Sequence, residues 1–199
     1  MLRRETSAAN SSFCVMILMH KSTEPVKVEK YNPEWNSWFE QLCSYFESKL
    51  APNILRIEHV GSTSIPGMVA KPIIDFDIVI RMSDFEEIQS RLEVIGYVHQ
   101  GDLGIPEREA FALHDLELKK RLPPHHLYVC DIQSKELHRH IAFRDYLREH
   151  PEDARKYSEI KVNLVKEHSG DRELYIEDKD HPVREILERA LHWYNNQKL

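Results

Sequence analysis

Two carboxylates, Asp75 and Asp77, interrupt an apolar, β-branched run of strand length between residues 73 and 80. Because successive strand side chains point to opposite faces, both carboxylates are expected on one face. Two buried carboxylates repel, and they need a shared cation, a basic partner or a raised pKa. A divalent metal meets that need best, since Mg²⁺ accepts one or two protein carboxylates and leaves its other positions to water and phosphates. The pair therefore predicts a Mg²⁺ or Mn²⁺ site.

A Gly-Ser turn lies shortly before this pair. Ser62 precedes Asp75 by 13 positions, and Gly61-Ser62 stands between two predicted strands. Such a turn lets backbone N–H groups and a hydroxyl approach a phosphate closely. The combination predicts phosphate binding beside a metal site. An alternative interpretation is that the two carboxylates lie at a strand end in water, or pair with Lys71 and Arg56.

The pattern Val60-Gly61-Ser62, followed by Asp75-Phe76-Asp77-Ile78, resembles the core motif of the nucleotidyltransferase superfamily. Within it, the block from residue 58 to residue 75 is very similar to the GrpB family. Three later blocks, 124–130, 143–148 and 157–161, also resemble that family. The resemblance covers residues 26 to 194 and leaves the N-terminal leader outside it.

This resemblance implies an α/β (α+β) fold with a nucleotidyltransferase-like mixed sheet flanked by helices and a helical C-terminal third. It places Gly61, Ser62 and Thr63 beside a triphosphate, and it makes Asp75 and Asp77 metal ligands. Active members of the superfamily add a third carboxylate on a neighbouring strand, which helps to activate the acceptor hydroxyl. Their metal ions clamp the attacking and leaving oxygens. Fold analogy alone does not establish catalysis.

The third carboxylate is the point at which this sequence departs from that pattern. His126 or Tyr128 fills the position expected to face the Asp pair, and Asp131 stands only at the strand end. Asp115 and Glu117 are rival candidates on a less certain earlier strand. Because histidine titrates near neutrality, His126 is a candidate catalytic base or third metal ligand.

Four further residues are candidates for the site. Lys71 ends the loop before the Asp strand, where it can contact a phosphate or pair with the carboxylates. By strand alternation, His59 can point toward the site or serve as a structural histidine. Lys161 and Arg144 fall on predicted helices, where charges usually form a solvated face. The family resemblance makes both of them candidate anion ligands.

Twelve histidines raise the question of a zinc site, with the obvious cluster at 125, 126, 138 and 140. Adjacent histidines on a strand point to opposite faces, and helix positions i and i+2 do not share a face. A zinc site built from these four is therefore not expected.

The elements that must position these residues can be predicted from periodicity and turn signals. Strands are predicted at 54–60, 73–80, 110–118 and 126–130. Predicted helices begin at Pro33, at a Ser83/Glu86 capping box, near Ser134, at Pro151 and at Pro182. The Trp35, Trp38 and Phe39 stripe of the first helix is interpreted as core.

Composition limits the remaining possibilities. The chain has 199 residues, 41% hydrophobic and 30% charged, which is enough for one domain with a core. We predict a disordered leader over 1–25 and a single domain over 26–199. Three cysteines without a C-x-x-C motif, and no apolar run of membrane-spanning length, predict a cytoplasmic protein without a membrane partner. A net charge of −6 disfavours duplex nucleic acid as a partner.

The first hypothesis is an enzyme that binds a nucleoside triphosphate with Mg²⁺ and transfers a nucleotidyl or phosphoryl group to a small acceptor. The alternative is a non-catalytic module of the same fold that binds a nucleotide or another anionic metabolite. A metal-dependent hydrolase that uses the same carboxylates is a third hypothesis.

Overall fold

The computed structural model describes residues 25–197, which form a mixed five-stranded sheet with helices on both faces. The sheet order is β1-β2-β5-β4-β3, in which β2 and β5 are parallel and the other neighbours are antiparallel. The strands are β1 (Arg56–Val60), β2 (Ile74–Ile80), β3 (Tyr97–His99), β4 (Arg108–Leu113) and β5 (His125–Asp131).

Within residues 25–197 six helices accompany the sheet, and the last three make up the helical C-terminal third that the sequence predicted. They are α1 (Glu34–Leu50), α2 (Phe85–Val94), α3 (Leu116–Arg121), α4 (Lys135–Glu149), α5 (Pro151–Glu167) and α6 (Arg172–Asn196). Two short 3₁₀ turns, Ser62–Ser64 and Met82–Asp84, follow β1 and β2. The α+β class, with its mixed sheet flanked by helices, is confirmed.

The two faces of β2 have different chemistry. Phe76 and Ile78 point into a core against α1 and α2, where Trp35 and Phe46 are fully buried. This packing confirms Trp35 as a core residue. Asp75 and Asp77, by alternation, face the side on which α4 lies. One strand therefore anchors the core and presents both carboxylates to the helical third.

Two predicted features of the sheet region differ from the observed structure, and one observed strand was not predicted. Asp115 caps α3 by accepting a hydrogen bond from the backbone N of Leu118 at 2.6 Å, so the strand predicted over 110–118 ends at Leu113 instead. The Ser83/Glu86 capping box does not form, because Ser83 lies inside a 3₁₀ turn and α2 begins at Phe85. The three-residue strand β3 was not predicted, since three residues are too few to show a period.

The final helix begins ten residues earlier than predicted, and Pro182 lies inside it. Asp171 caps its N-terminus by accepting from the backbone N of Leu174 at 3.1 Å. Tyr175 and Ile176 then bury its first turns against Val26. The cap and this packing extend α6 through the proline, and they bring its first two turns over the sheet.

The predicted leader over 1–25 falls, except for Pro25, outside the described residues. Within residues 25–197, no helix is both long enough and apolar enough to cross a bilayer.

Candidate functional site

A cavity of about 130 Å³ lies between the sheet and the C-terminal helices. The 3₁₀ turn after β1, the loop before β2, strands β2 and β5, and helices α4, α5 and α6 all contribute to its wall. The lining side chains are Gly61, Ser62, Thr63, Ala70, Lys71, Ile73, Asp75, His126, Tyr128, His140, Phe143, Tyr157, Lys161, Arg172, Tyr175 and Lys179.

Gly61 holds the turn against Asp75. Its φ of 69° is in the region that glycine adopts most readily, and a Cβ built on it would overlap Oδ2 of Asp75. The hydroxyl of Ser64 donates to the carbonyl of Gly61 at 2.6 Å and closes the turn. The sequence motif therefore has a steric cause: only glycine lets this backbone lie against the carboxylate.

Asp75 and His126 are register neighbours on the parallel strands β2 and β5. Because a carboxylate only accepts hydrogen bonds, Nδ1 of His126 donates to Oδ1 of Asp75, at 2.7 Å. Burial raises the pKa of Asp75, but this hydrogen bond and the nearby histidines outweigh burial and hold the pKa below its usual value. About a quarter of each side chain is exposed, so this oriented imidazole–carboxylate pair opens onto the cavity.

Asp77 has a different environment. It is fully buried and does not line the cavity, and its Oδ2 accepts from Nδ1 of His140 at 2.7 Å. Oε1 of Glu136 lies 3.3 Å from the other nitrogen of His140. Burial lowers the pKa of His140, but the two carboxylates outweigh burial and raise it to about 10. An imidazolium therefore balances the charge of Asp77.

Lys161 is a buried basic residue that contacts the Gly61-Ser62 turn. It is 3% exposed, and its Nζ donates to Oγ of Ser62 at 2.9 Å and to the carbonyl of Val69. Nζ also lies 4.6 Å from the ring centroid of Tyr157. Burial lowers the pKa of Lys161 well below its usual value. An anion at this position would offset the cost of charging the buried amine.

Three more basic side chains line the cavity: Lys71, Arg172 and Lys179. Lys71 and Lys179 lie on the ring of Tyr175, with Nζ at 5.4 and 5.6 Å from its centroid. Burial, together with Lys179 and Arg172, lowers the pKa of Lys71 to about 8. Like charges gathered around one cavity oppose one another, and a negative ligand would relieve that repulsion.

The structure brings eight of the predicted site residues together in the cavity wall: Gly61, Ser62, Thr63, Lys71, Asp75, His126, Tyr128 and Lys161. The predicted partner-strand positions are confirmed by register, since His126 lies beside Asp75 and Tyr128 beside Asp77. Arg108 lies over the Tyr128 ring, 4.5 Å from its centroid. Neither partner-strand position carries a carboxylate.

The other candidates lie outside the wall and have structural partners. His59 stacks on Phe39 with ring centroids 4.5 Å apart and hydrogen-bonds Oγ1 of Thr63, and burial lowers its pKa to about 4. Asp131 accepts from the backbone N of Met82 and of Gln133, both at 2.8 Å.

Arg144 donates to Glu58 at 2.7 Å and to Asp145 at 2.7 Å. Of the rival acids, Asp115 caps α3 and Glu117 pairs with Lys120.

The cavity residues that sequence reasoning did not identify as site residues include His140, Arg172, Tyr175 and Lys179. Three of them recur at helix positions i, i+3 and i+7 on α6, which puts them on one face. That spacing was a usable signal, but the prediction that this helix begins at Pro182 hid it.

The comparisons with known proteins agree with this architecture. The model of the GrpB protein family matches residues 25–189. The chain belongs to the GrpB family. The crystal structure of conserved protein GrpB from Enterococcus faecalis is similar, with a TM-score of 0.74 and 33% identity, over 84% of this chain and 99% of that one.

Two other relatives of this GrpB-family chain are UPF0157 proteins. YqkA of Bacillus subtilis is 32% identical over 96% of this chain and 54% of its own length. A Pseudomonas aeruginosa protein is 36% identical over 83% of this chain and 68% of its own. The chain thus spans about half of the Bacillus protein. The Gly-Ser turn lies against Asp75 on a mixed sheet, as the sequence resemblance implied.

The donor set determines how a metal would fit. Asp75 reaches the cavity, and one Mg²⁺ held by this carboxylate and by ligand phosphates matches the coordination that Mg²⁺ prefers. A two-metal clamp does not fit, because Asp77 is buried behind its bond to His140. Among residues 25–197, no group of three or more His, Cys, Asp or Glu side chains is placed to hold an ion.

Proposed function

We propose that this GrpB-family chain binds a small phosphorylated molecule, such as a nucleoside triphosphate, in the cavity between its sheet and its C-terminal helices. One observation carries the proposal: four basic side chains and a single carboxylate line the cavity, and the Gly61-Ser62 turn closes one side of it. Basic side chains gathered in one cavity attract anions, and a small polyanion such as a triphosphate can contact several of them at once. The net charge of −6 is no obstacle, because the basic groups are concentrated at this one place.

A titration with inorganic tripolyphosphate and ATP, each with and without Mg²⁺, tests this proposal by calorimetry. The double variant Lys71→Met/Lys179→Met removes two cations from the wall and should weaken tripolyphosphate binding at least tenfold. The matched control Lys156→Met/Lys166→Met removes two exposed lysines of α5 and should change the affinity less than twofold. Equal affinities in all three proteins, or no binding at millimolar concentrations, would contradict the proposal.

A second candidate function is transfer of a nucleotidyl or phosphoryl group to a small acceptor, and the His126–Asp75 pair favours it. Nδ1 of His126 donates to Asp75, which orients the ring, and Nε2 is the ring atom that would take a proton from an acceptor. An acceptor hydroxyl would lose its proton to Nε2 while its oxygen bonds to phosphorus and the bond to the leaving phosphate breaks. One Mg²⁺ at Asp75 would supply charge stabilisation. With water as the acceptor, the same arrangement would give a hydrolase.

An assay for product release distinguishes the transfer hypothesis from the hypothesis of binding alone. Under the transfer hypothesis, the wild-type chain with ATP, Mg²⁺ and a mixture of small metabolites should release pyrophosphate or ADP. His126→Asn should reduce that release at least a hundredfold and leave ATP affinity within threefold. Tight ATP binding without any release by the wild-type protein would establish the binding module instead.

A further inference from the structure

A second depression, of about 670 Å³, adjoins the cavity at the N-terminal end of β5. Ile73 and His126 line both spaces, so the two adjoin at these side chains. On this side the sheet is uncovered: Val98, which pairs with Ala112 across β3 and β4, is 45% exposed. The small side chain of Ala112 leaves room above the sheet. This depression is called the groove below.

The volumes of the two spaces suit different parts of a nucleotide. Sites that enclose an organic ligand usually measure about 300 to 1,000 Å³. The cavity, at about 130 Å³, is smaller than that range and has room for phosphates, whereas the groove lies within it. A ligand whose phosphates fill the cavity must continue out of it, and the shared wall at His126 leads into the groove.

We infer that the groove holds the nucleoside of a nucleotide whose phosphates occupy the cavity. This inference rests on the proposed function, since it assumes that the cavity takes the phosphates. Apart from Pro124, His125 and His126, most of the groove wall lies outside the sequence motifs, because it comes from β4, from the loop before β5 and from α3.

The chemistry of the groove suits a nucleoside. Leu122, Pro123 and Pro124 give it an apolar wall, against which a base or a sugar ring can pack. The amide of Gln100 offers both a donor and an acceptor, as hydrogen bonding to a base edge requires. Lys119 is exposed at the rim. An apolar surface with a few placed polar groups is the usual composition of a site for a small organic ligand.

Hydrogen bonds of His125 hold the apolar wall of the groove in place. Its Nδ1 lies 2.7 Å from the carbonyl of Pro123, and its Nε2 lies 2.7 Å from the hydroxyl of Tyr97. His125 therefore points into the sheet's other face, and strand alternation turns His126 toward the junction of cavity and groove. Both spaces are thus formed before a ligand arrives, which lowers the ordering cost of binding.

The substitution Ala112→Trp tests the inference by filling the groove. Calorimetry would compare ATP, GTP, CTP and UTP with inorganic tripolyphosphate at one Mg²⁺ concentration. In the wild-type chain, at least one nucleotide should bind more tightly than tripolyphosphate. Ala112→Trp should weaken that nucleotide at least tenfold and leave tripolyphosphate within twofold. Val94→Trp, at an 84% exposed position of α2, is the matched control and should change neither.

Gln100→Ala is the milder second variant, and it carries the test if Ala112→Trp does not fold. It should narrow the affinity differences among the four nucleotides and leave tripolyphosphate unchanged. Nucleotide affinities that no groove variant alters, while tripolyphosphate still binds, would overturn the inference and leave the groove to an acceptor. If neither tripolyphosphate nor any nucleotide binds the wild-type chain, it is the proposed function that fails.

Discussion

His140 on α4 and Asp77 on β2 lie 63 positions apart in the chain, and their side chains meet in the interior at 2.7 Å. Glu136 approaches the same imidazole from one helical turn away. A nucleotidyltransferase that uses two metals needs a cation beside its second aspartate. Here a protonated histidine provides positive charge at that aspartate. The finding separates the two carboxylates of the motif: Asp75 faces the cavity, and Asp77 belongs to an internal ion pair.

The first prediction concerns this pair. His140→Leu should lower the free energy of unfolding by about 3 to 5 kcal/mol, because removing one partner of a buried ion pair leaves the other charge uncompensated. Urea denaturation monitored by circular dichroism measures the change. His138→Leu, on the same helix, removes a single outer hydrogen bond to Asn195 and should cost about 1 kcal/mol. A His140→Leu chain as stable as the wild type would contradict a stabilising ion pair between His140 and Asp77.

The second prediction uses two glycines that share a backbone conformation. Gly61 and Gly67 have φ values of 69° and 79°, but only at Gly61 would a Cβ meet the Asp75 carboxylate. Gly67→Ala should therefore cost only the strain of a left-handed alanine, about 1 to 2 kcal/mol. Gly61→Ala should cost more and should also displace Asp75.

Thermal denaturation and tripolyphosphate titration of both variants check this prediction. Gly61→Ala should lose affinity for tripolyphosphate, and Gly67→Ala should keep it. The steric interpretation of the motif is wrong if the two variants behave alike.

The sequence allowed the Gly61, Asp75 and His126 part of the site to be predicted, because its determinants are local. A β-branched run fixes which residues share a face, and a glycine between two strands marks a close approach. The position of His126 beside Asp75 followed from treating their strands as neighbours, and the register agrees.

Contacts that depend on tertiary packing could not be predicted in this way. The sequence analysis considered His140 only as part of a zinc site that was not expected. No local pattern linked His140 to Asp77. Lys179 and Arg172 were missed because Pro182 was taken as the start of a helix. That helix instead begins where Asp171 caps it and Tyr175 enters the core.

The third prediction compares the buried Lys161 of α5 with the exposed Lys166 of the same helix. Lys161→Met keeps the length and removes the amine that an anion would charge, so it should weaken tripolyphosphate binding at least tenfold. The variant also loses the hydrogen bonds to Ser62 and Val69, so the free energy of unfolding should fall by about 1 to 3 kcal/mol. Calorimetry and urea denaturation measure the two effects. Lys166→Met removes an exposed charge from the same helix and should alter neither. A large loss of stability without a loss of affinity would make Lys161 a purely structural residue.

The last prediction is a pH dependence set by Lys71. Burial and the neighbouring cations lower its pKa from 10.5 to about 8, so Lys71 is charged below pH 8 and loses its proton above it. Affinity for tripolyphosphate should therefore fall as the pH rises from 8 toward 10. Lys71→Arg should flatten this fall, because arginine keeps its charge throughout that range.

The contribution of Lys71 to the stability of the ligand-free chain should change in the opposite direction over the same range. Between pH 8 and 10.5 the unfolded chain holds a proton on Lys71 that the folded chain has released. The contribution of Lys71 to stability therefore rises with pH across this window, as linkage requires when the unfolded state binds more protons. Burial raises the pKa of Cys43 to about 12, which acts in the opposite direction above pH 9, so the Lys71 contribution is measured as the difference between the wild-type and Lys71→Arg chains. Calorimetric titrations and urea denaturation at half-unit steps from pH 7 to 10 would measure both slopes. Two slopes of the same sign, or a Lys71→Arg chain that titrates like the wild type, would place the titrating group elsewhere in the cavity wall.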